Sequence, residues 1–279
     1  RSDASHLAAH GLHVTSPLGD VALDAVEVFD DPEQVPTSDV VVLTTKTTEN
    51  ESIVPILRSL LGPDSALLVL QNGLGVEAPL AEALGVPVLG GLCFICSARV
   101  APGRIEHLDY GHVVIGEHGA AGPAGPTDRV RGLVADLAAV GVEVRATEDL
   151  EAARWRKLVW NVPYNGLSVV LDAGTDELMA DPGTRALVRE LMVEVHAAAE
   201  ACGHGFDPSF IDQMLTDTDA MAPYAPSMKL DYEARRPLEL DAIYRAPLEA
   251  AALAGAPMRR VELLWRQLGF LDRRRRGVS

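Results

Sequence analysis

The chain has few basic residues, few cysteines and no long apolar run, and each shortage excludes something. Lysine and arginine together number 24 against 40 acidic residues, a formal charge of −16. Nucleic-acid binding needs a basic face, so that class of partner is excluded, and anionic membrane surfaces are disfavoured. An anionic small molecule is not excluded, because one lysine or arginine can dominate inside a cleft. The longest apolar stretches, such as 66–70, are far too short to span a bilayer. No charged-then-apolar secretory segment opens the chain, which begins at Arg1 rather than Met. There are three cysteines, Cys93, Cys96 and Cys202. One C-x-x-C without a second pair does not make a structural zinc site, so no metal is expected. Cys93 and Cys96 lie in an apolar, strand-like stretch and read as buried thiols. The odd count points to a reducing compartment, the cytoplasm. The basic run 273–276 reads as a solvated end to the last helix.

What is present is an ordinary globular composition, 48% hydrophobic and 23% charged over 279 residues. Asp39 to Thr45 is a β-branched apolar run with polar ends, the mark of a strand buried on both faces. Helical spacing follows over about 48–61, until Gly62-Pro63-Asp64 breaks it. A second buried strand spans 66–70, Asn72-Gly73 turns, 76–84 reads as a helix and 86–89 as a third strand. This alternation predicts an α/β sheet of mostly parallel order. From Gly90 to Glu117, Pro102-Gly103 and Tyr110-Gly111 interrupt short apolar stretches, which predicts antiparallel strands. A helix over 127–139 and a strand over 142–145 follow. After Asp149 the pattern is helical: 149–172, 181–202, 207–221, 239–254 and 258–273. Two domains are expected, 1–147 of α/β type and 148–279 all-α.

Chemistry in such sheets sits beyond the carboxyl ends of the strands. Lys46 and Asn72-Gly73-Leu74-Gly75 occupy two of those ends. Either reads also as ordinary punctuation, a solvated lysine opening a helix and a tight turn. The strongest constellation is on the helix after Asp149. Lys157, Asn161 and Asn165 are spaced i, i+4, i+8 and form one stripe on an apolar, aromatic helix. Asparagine is a poor helix former, so two on one stripe need a reason. Pro163 predicts a kink there. The plain alternative is an exposed polar face. Reducing a ketone places negative charge on oxygen, and a protonated lysine can stabilise that charge and supply the proton. Asparagine amides can hold hydroxyl and carboxylate groups. Farther on, Ser227 precedes a helix, and Glu239 and Asp241 open the next, where acids are favoured by the macrodipole alone.

Together these pieces resemble the ketopantoate reductase family over essentially the whole chain. The match runs through Lys46, Asn72-Gly73-x-Gly75, Arg99-x-x-Pro102-Gly103, Ile115-Gly116-Glu117, Lys157-x-x-x-Asn161-x-x-x-Asn165, Ser227-Met228 and Arg235-Arg236-Pro237-x-Glu239-x-Asp241. The resemblance implies a Rossmann-like dinucleotide-binding domain followed by a helical one. It implies NADPH-dependent reduction of 2-dehydropantoate to pantoate, in pantothenate and coenzyme A biosynthesis. Lys157 would be the general acid. Asn161, Asn165 and Ser227 would hold the oxo acid, and Asn72 both cofactor and substrate. Lys46 would lie near the nicotinamide end. Glu239 would orient Lys157 or touch the cofactor ribose. Arg1 stands where the family places an arginine for the 2′-phosphate of NADPH. Thr175 stands where a further substrate-contacting asparagine is expected, which leaves room for another small 2-oxo acid. The family's G-x-G-x-x-G turn is absent, and about 30 residues of its first βαβ unit are missing ahead of Arg1. The sheet is then expected to expose an apolar edge, and a non-catalytic dinucleotide-binding remnant is the competing reading. A homodimer is one option for the assembly.

Overall fold

The computed structural model describes residues 3–120 and 125–277. Arg1 lies outside the described residues. In chain order the elements are α1 (Ala4–His10), β1 (Leu12–Thr15), β2 (Val21–Leu23), β3 (Ser38–Leu43), α2 (Asn50–Leu60), β4 (Leu61–Val69), α3 (Glu77–Leu84), β5 (Val88–Ala101), β6 (Arg104–Glu117), α4 (Asp128–Ala139) and β7 (Glu143–Ala146). Helices follow: α5 (Leu150–Val170), α6 (Thr175–Ala180), α7 (Pro182–Ala201), α8 (Ser209–Ala220), α9 (Ser227–Glu233), a π-helical segment (Asp241–Arg245), α10 (Ala246–Leu253) and α11 (Arg259–Arg276). A mixed α/β sheet of Rossmann-like character thus precedes a helical half.

The sheet runs in the order β2-β1-β6-β5-β4-β3, with β7 also on β6. β3, β4 and β5 are parallel, β5 and β6 form a long antiparallel pair, and β7 is parallel to β6. The expected buried strand is β4, whose residues Ala66 to Val69 are all nearly inaccessible. β3 is less buried than its composition suggests. It forms one edge of the sheet, and Val42 is 50% exposed. The β1–β2 hairpin buries no face: β1 alternates only between half-buried and exposed, and β2 is exposed at every position. It is held instead by pairing with β6 and by a hydrogen bond between Ser16 Oγ and His107 Nδ1 at 2.8 Å.

Leu67, Val69, Val88 and Leu80 form a core on one face of the sheet, and Leu68, Leu89, Ile115 and Val130 one on the other. The largest core lies in the helical half, around α5 and α7. α5 starts where Asp149 caps it, its carboxylate accepting from Ala152 N at 2.8 Å. Its Trp155, Leu158, Val159, Val162 and Tyr164 are almost inaccessible. α5 is therefore buried nearly all round, and its polar stripe faces the interior rather than water.

One helix differs from its expected span. The helix expected over 239–254 begins as the π segment, where the Ala246 N–H reaches back to the Asp241 carbonyl. Pro247 follows and has no N–H to continue a regular ladder. The short helices α6 and α9 are too brief to show a period of their own.

Candidate active site

A cavity of about 640 Å³ opens between the carboxyl ends of the strands and the helical half. Leu70 and Asn72 line it from the turn after β4, Cys93 to Ser97 from β5, and Tyr110, His112 and Val114 from β6. Lys157, Trp160, Asn161 and Asn165 line it from α5, and Ser227 from the start of α9. The lysine–asparagine stripe, Asn72 and Ser227 therefore meet at one place, from segments 155 residues apart at the extremes. Helical spacing brings the three α5 residues together, and the fold adds the other two.

Lys157 Nζ donates to the Cys93 carbonyl at 2.5 Å and lies 5.1 Å from the centroid of the Phe94 ring. Burial pushes its pKa down to about 8. Nearby Cys93 and Glu239 work against that fall, and Arg154 adds to it. The group thus stays a cation at neutral pH and gives up its proton within reach of it. Asn161 is 5% exposed, and its Nδ2 is buried without a hydrogen-bond partner. A buried donor left unpaired costs about 1–3 kcal/mol, so Nδ2 is a vacancy for an acceptor. Asn165 Oδ1 accepts from Met228 N at 3.2 Å, which ties α5 to the start of α9 beside Ser227.

Glu239 does not pair directly with Lys157. It accepts from Thr47 N and Thr47 Oγ1, each at 3.0 Å, and from Lys46 Nζ at 3.2 Å. Asp231 takes Lys46 Nζ at 2.9 Å and Arg236 Nε at 2.8 Å. Lys46 thus bridges the end of β3 to the helical half. Burial lowers its pKa, but the two carboxylates outweigh that and raise it overall. Lys46 and Glu239 are not among the residues that line the cavity. They form a separate cluster with Asp231 at the end of β3.

Thr175 stands away from the cavity too. It is 1% exposed, and its hydroxyl bonds the Tyr224 carbonyl at 3.2 Å. Its role in this geometry is to brace Tyr224, which does line the cavity. The cysteines also differ from plain core thiols: Cys93 and Cys96 both line the cavity. Among the described residues no group of histidines, cysteines and carboxylates is arranged to hold a metal ion.

Three contributors carry no signal in spacing. Arg154, 2% exposed, donates through Nη1 to the Gln71 carbonyl at 2.6 Å and through Nε to Glu77 at 2.8 Å. It anchors the residue before Asn72 to α5. An arginine three residues before Lys157 on an otherwise apolar helix needed a buried partner, and that was the available clue. The π segment is the second. Ala242 O accepts from Leu74 N at 2.8 Å, and the Tyr244 hydroxyl donates to the Val162 carbonyl at 2.9 Å. One segment therefore fixes both the Asn72 turn and the middle of α5. The third is Asp231, whose pairing with Lys46 needs the folded chain.

Comparison with known proteins agrees with this geometry. The family model "Ketopantoate reductase PanE/ApbA" matches residues 1–120, and its C-terminal counterpart matches 149–272. The chain belongs to the ketopantoate reductase family. A 2-dehydropantoate 2-reductase of a Nostoc species is 47% identical over 99% of this chain and 87% of its own length. A 2-dehydropantoate 2-reductase structure from Geobacter metallireducens is 40% identical, with a TM-score of 0.92 over 97% of this chain and 89% of that one. A D-mandelate dehydrogenase solved with NADH and anilino(oxo)acetate superposes at TM-score 0.82 with 18% identity, a likeness of fold. As a ketopantoate reductase family member the chain is placed among dinucleotide-dependent reductases. No helix among the described residues is long and apolar enough to cross a membrane.

Proposed function

We propose that this chain reduces 2-dehydropantoate to pantoate with NADPH, and that Lys157 supplies the proton. The observation that carries the reading is the cavity itself: a buried ammonium, an unpartnered buried amide and a serine converge where strand ends meet α5. Asn161 Nδ2 offers an oxygen of the oxo acid a hydrogen-bond donor inside the protein, and Asn165, Ser227 and Asn72 line the same cavity. Lys157 Nζ lies at the same wall, so it can donate to the ketone oxygen and stabilise the alkoxide that forms there. The dinucleotide, when bound, supplies the hydride to the carbonyl carbon. The hydride and the lysine proton together convert the ketone to the secondary alcohol, which leaves Lys157 neutral until water reprotonates it.

The strand ends suit the nicotinamide end of such a group. Thr45 Oγ1 is buried without a partner at the end of β3. Gly73, at φ +105°, lets the Asn72 turn take its shape with Ala242 packed where a Cβ would lie. Lys46, Asn72 and Glu239 are the residues proposed to contact the cofactor. NADP rather than NAD rests on the family likeness and on Arg1. We place the domain boundary at 147/148, where the strands end. A homodimeric, cytoplasmic enzyme completes the reading, with the three free thiols Cys93, Cys96 and Cys202 in keeping with a reducing compartment.

The test is oxidation of NADPH, followed by absorbance, with 2-dehydropantoate and a panel of other 2-oxo acids. Preference for 2-dehydropantoate is expected. Turnover of none of them, or equal turnover with NADH, would remove the corresponding part of the proposal. Light scattering in solution tests the dimer.

A further inference from the structure

Lys157 is a buried cation, and the carboxylate that acts on it, Glu239, is occupied by Lys46 and Thr47. What holds the ammonium in place must be looked for elsewhere. Two groups of β5 touch it: the Cys93 carbonyl at 2.5 Å and the face of Phe94 at 5.1 Å. The Phe94 ring is itself held. His112 of β6, its cross-strand partner, stacks on it at 4.6 Å with 10° between the planes. The ladder shifts register between Phe94 and Ile95, so Phe94 sits at a bulge, a device that re-aims a side chain. Both rings line the cavity.

We propose that Phe94 is a positioning residue for Lys157: its ring, oriented by His112, supplies the π face that holds Nζ as a cation at the cavity wall. The physical basis is the aromatic quadrupole. A desolvated ammonium over a ring face is attracted more strongly than an exposed one, and the attraction vanishes when the ammonium deprotonates. An aromatic face offers this without a carboxylate. A carboxylate there would repel the anionic substrate that the proposed function brings to the same wall.

The charged and titratable groups around this pair are few. Lys157 is faced by Cys93 of β5, Arg154 of its own helix and Glu239 ahead of the π segment. His112 is faced by Glu143 and Arg145 of β7 and by Lys157. Its pKa is lowered, burial being the largest cause, so it is neutral at neutral pH and does not compete for the ring as a cation.

The chain offers a direct measurement that does not depend on turnover. It has three lysines, Lys46, Lys157 and Lys229. Lysine labelled with carbon-13 at Cε therefore gives three signals, which can be titrated in the intact folded chain. Phe94→Leu keeps an apolar side chain but removes the π face. The Lys157 midpoint is expected to fall by about one pH unit, the size of a desolvated cation–π contact. Lys46 and Lys229 should not move, and Phe94→Tyr should restore the wild-type midpoint. A purely structural role would shift all three signals or none. His112→Leu leaves the ring in place and removes its support. It should shift Lys157 in the same direction by less, and it serves if Phe94→Leu does not fold. In the reductase assay, Phe94→Leu should lower kcat about fivefold at pH 8 with KM nearly unchanged. An unmoved Lys157 midpoint in both Phe94→Leu and His112→Leu overturns the proposal, whatever the assay shows. An inactive wild-type chain with a shifted midpoint would instead count against the proposed function alone.

Discussion

In its proposed role as proton donor, Lys157 has to satisfy two demands that oppose each other. It must be buried to meet a substrate out of water, and it must stay protonated to donate. Burial brings its pKa to about 8, so the donor is lost as pH rises through that value. The basic limb of kcat/KM is therefore expected near pH 8, falling about tenfold per unit beyond it. Lys157→Ala should lower kcat by roughly 10² to 10⁴ with cofactor affinity nearly unchanged, as read from steady-state kinetics and dinucleotide titration. Near-normal kcat in that variant would sink the assignment. Asn161 poses the converse case. Its unpartnered Nδ2 suits a ligand and costs the free protein stability. Asn161→Leu should raise the unfolding free energy by about 1 kcal/mol in urea titrations. The same change should raise KM for the oxo acid by an order of magnitude or more. A destabilised variant would show that the amide is paired in solution.

At the scale of elements, two joints set the distance between the Asn72 turn and α5. One is the buried Arg154–Glu77 pair, whose side chains are 2% and 5% exposed. Arg154→Met strands the Glu77 carboxylate, which should cost about 3–5 kcal/mol. Adding Glu77→Leu should recover part of that stability, but not the position of Asn72, so KM should stay raised. Equal KM values in the double variant and the wild type would show that the turn needs no anchor. The other joint is Gly73. A Cβ there would fall 2.4 Å from Ala242 Cβ and 2.5 Å from Ala242 O, at a φ of +105°. Gly73→Ala should therefore destabilise by about 3 kcal/mol, overpacking adding to backbone strain. A midpoint shift in urea within error of zero would mean that the π segment yields freely.

For the molecule as a whole, Lys46 also ties the sheet to the helical half, through Asp231 and Glu239. Its pKa is raised above the ordinary 10.5, because the two carboxylates outweigh burial. The sign follows directly. The contribution is complete below pH 10.5 and is lost as pH climbs through the higher folded value. Urea denaturation at neutral pH should find Lys46→Met less stable than wild type, with the gap closing only in strongly alkaline solution. A gap independent of pH up to and beyond the lysine range would show that the stem of Lys46, not its charge, is what matters. The same bridge explains why Glu239 pairs with Lys46 rather than with Lys157.

The alternation of strand and helix to residue 146, the change to helices after Asp149 and the Lys157-Asn161-Asn165 stripe were all legible in the amino-acid order. Each depends on hydrophobic period or on i, i+4 spacing, which are properties of short windows. The hairpin of β1 and β2 was not, since β1 alternates only between half-buried and exposed and β2 is exposed throughout. Which polar residues meet was also beyond such windows. Glu239 pairs with Lys46 because β3 ends beside the segment before Ala242, and Thr175 turns to the Tyr224 backbone because α6 packs under that loop. Phe94 reaches Lys157 because a bulge in β5 re-aims it toward α5. Local order determined which side chains were available for chemistry. Long-range packing decided which of them share a cavity, because charge pairing and desolvation act through space, between residues the chain itself keeps far apart.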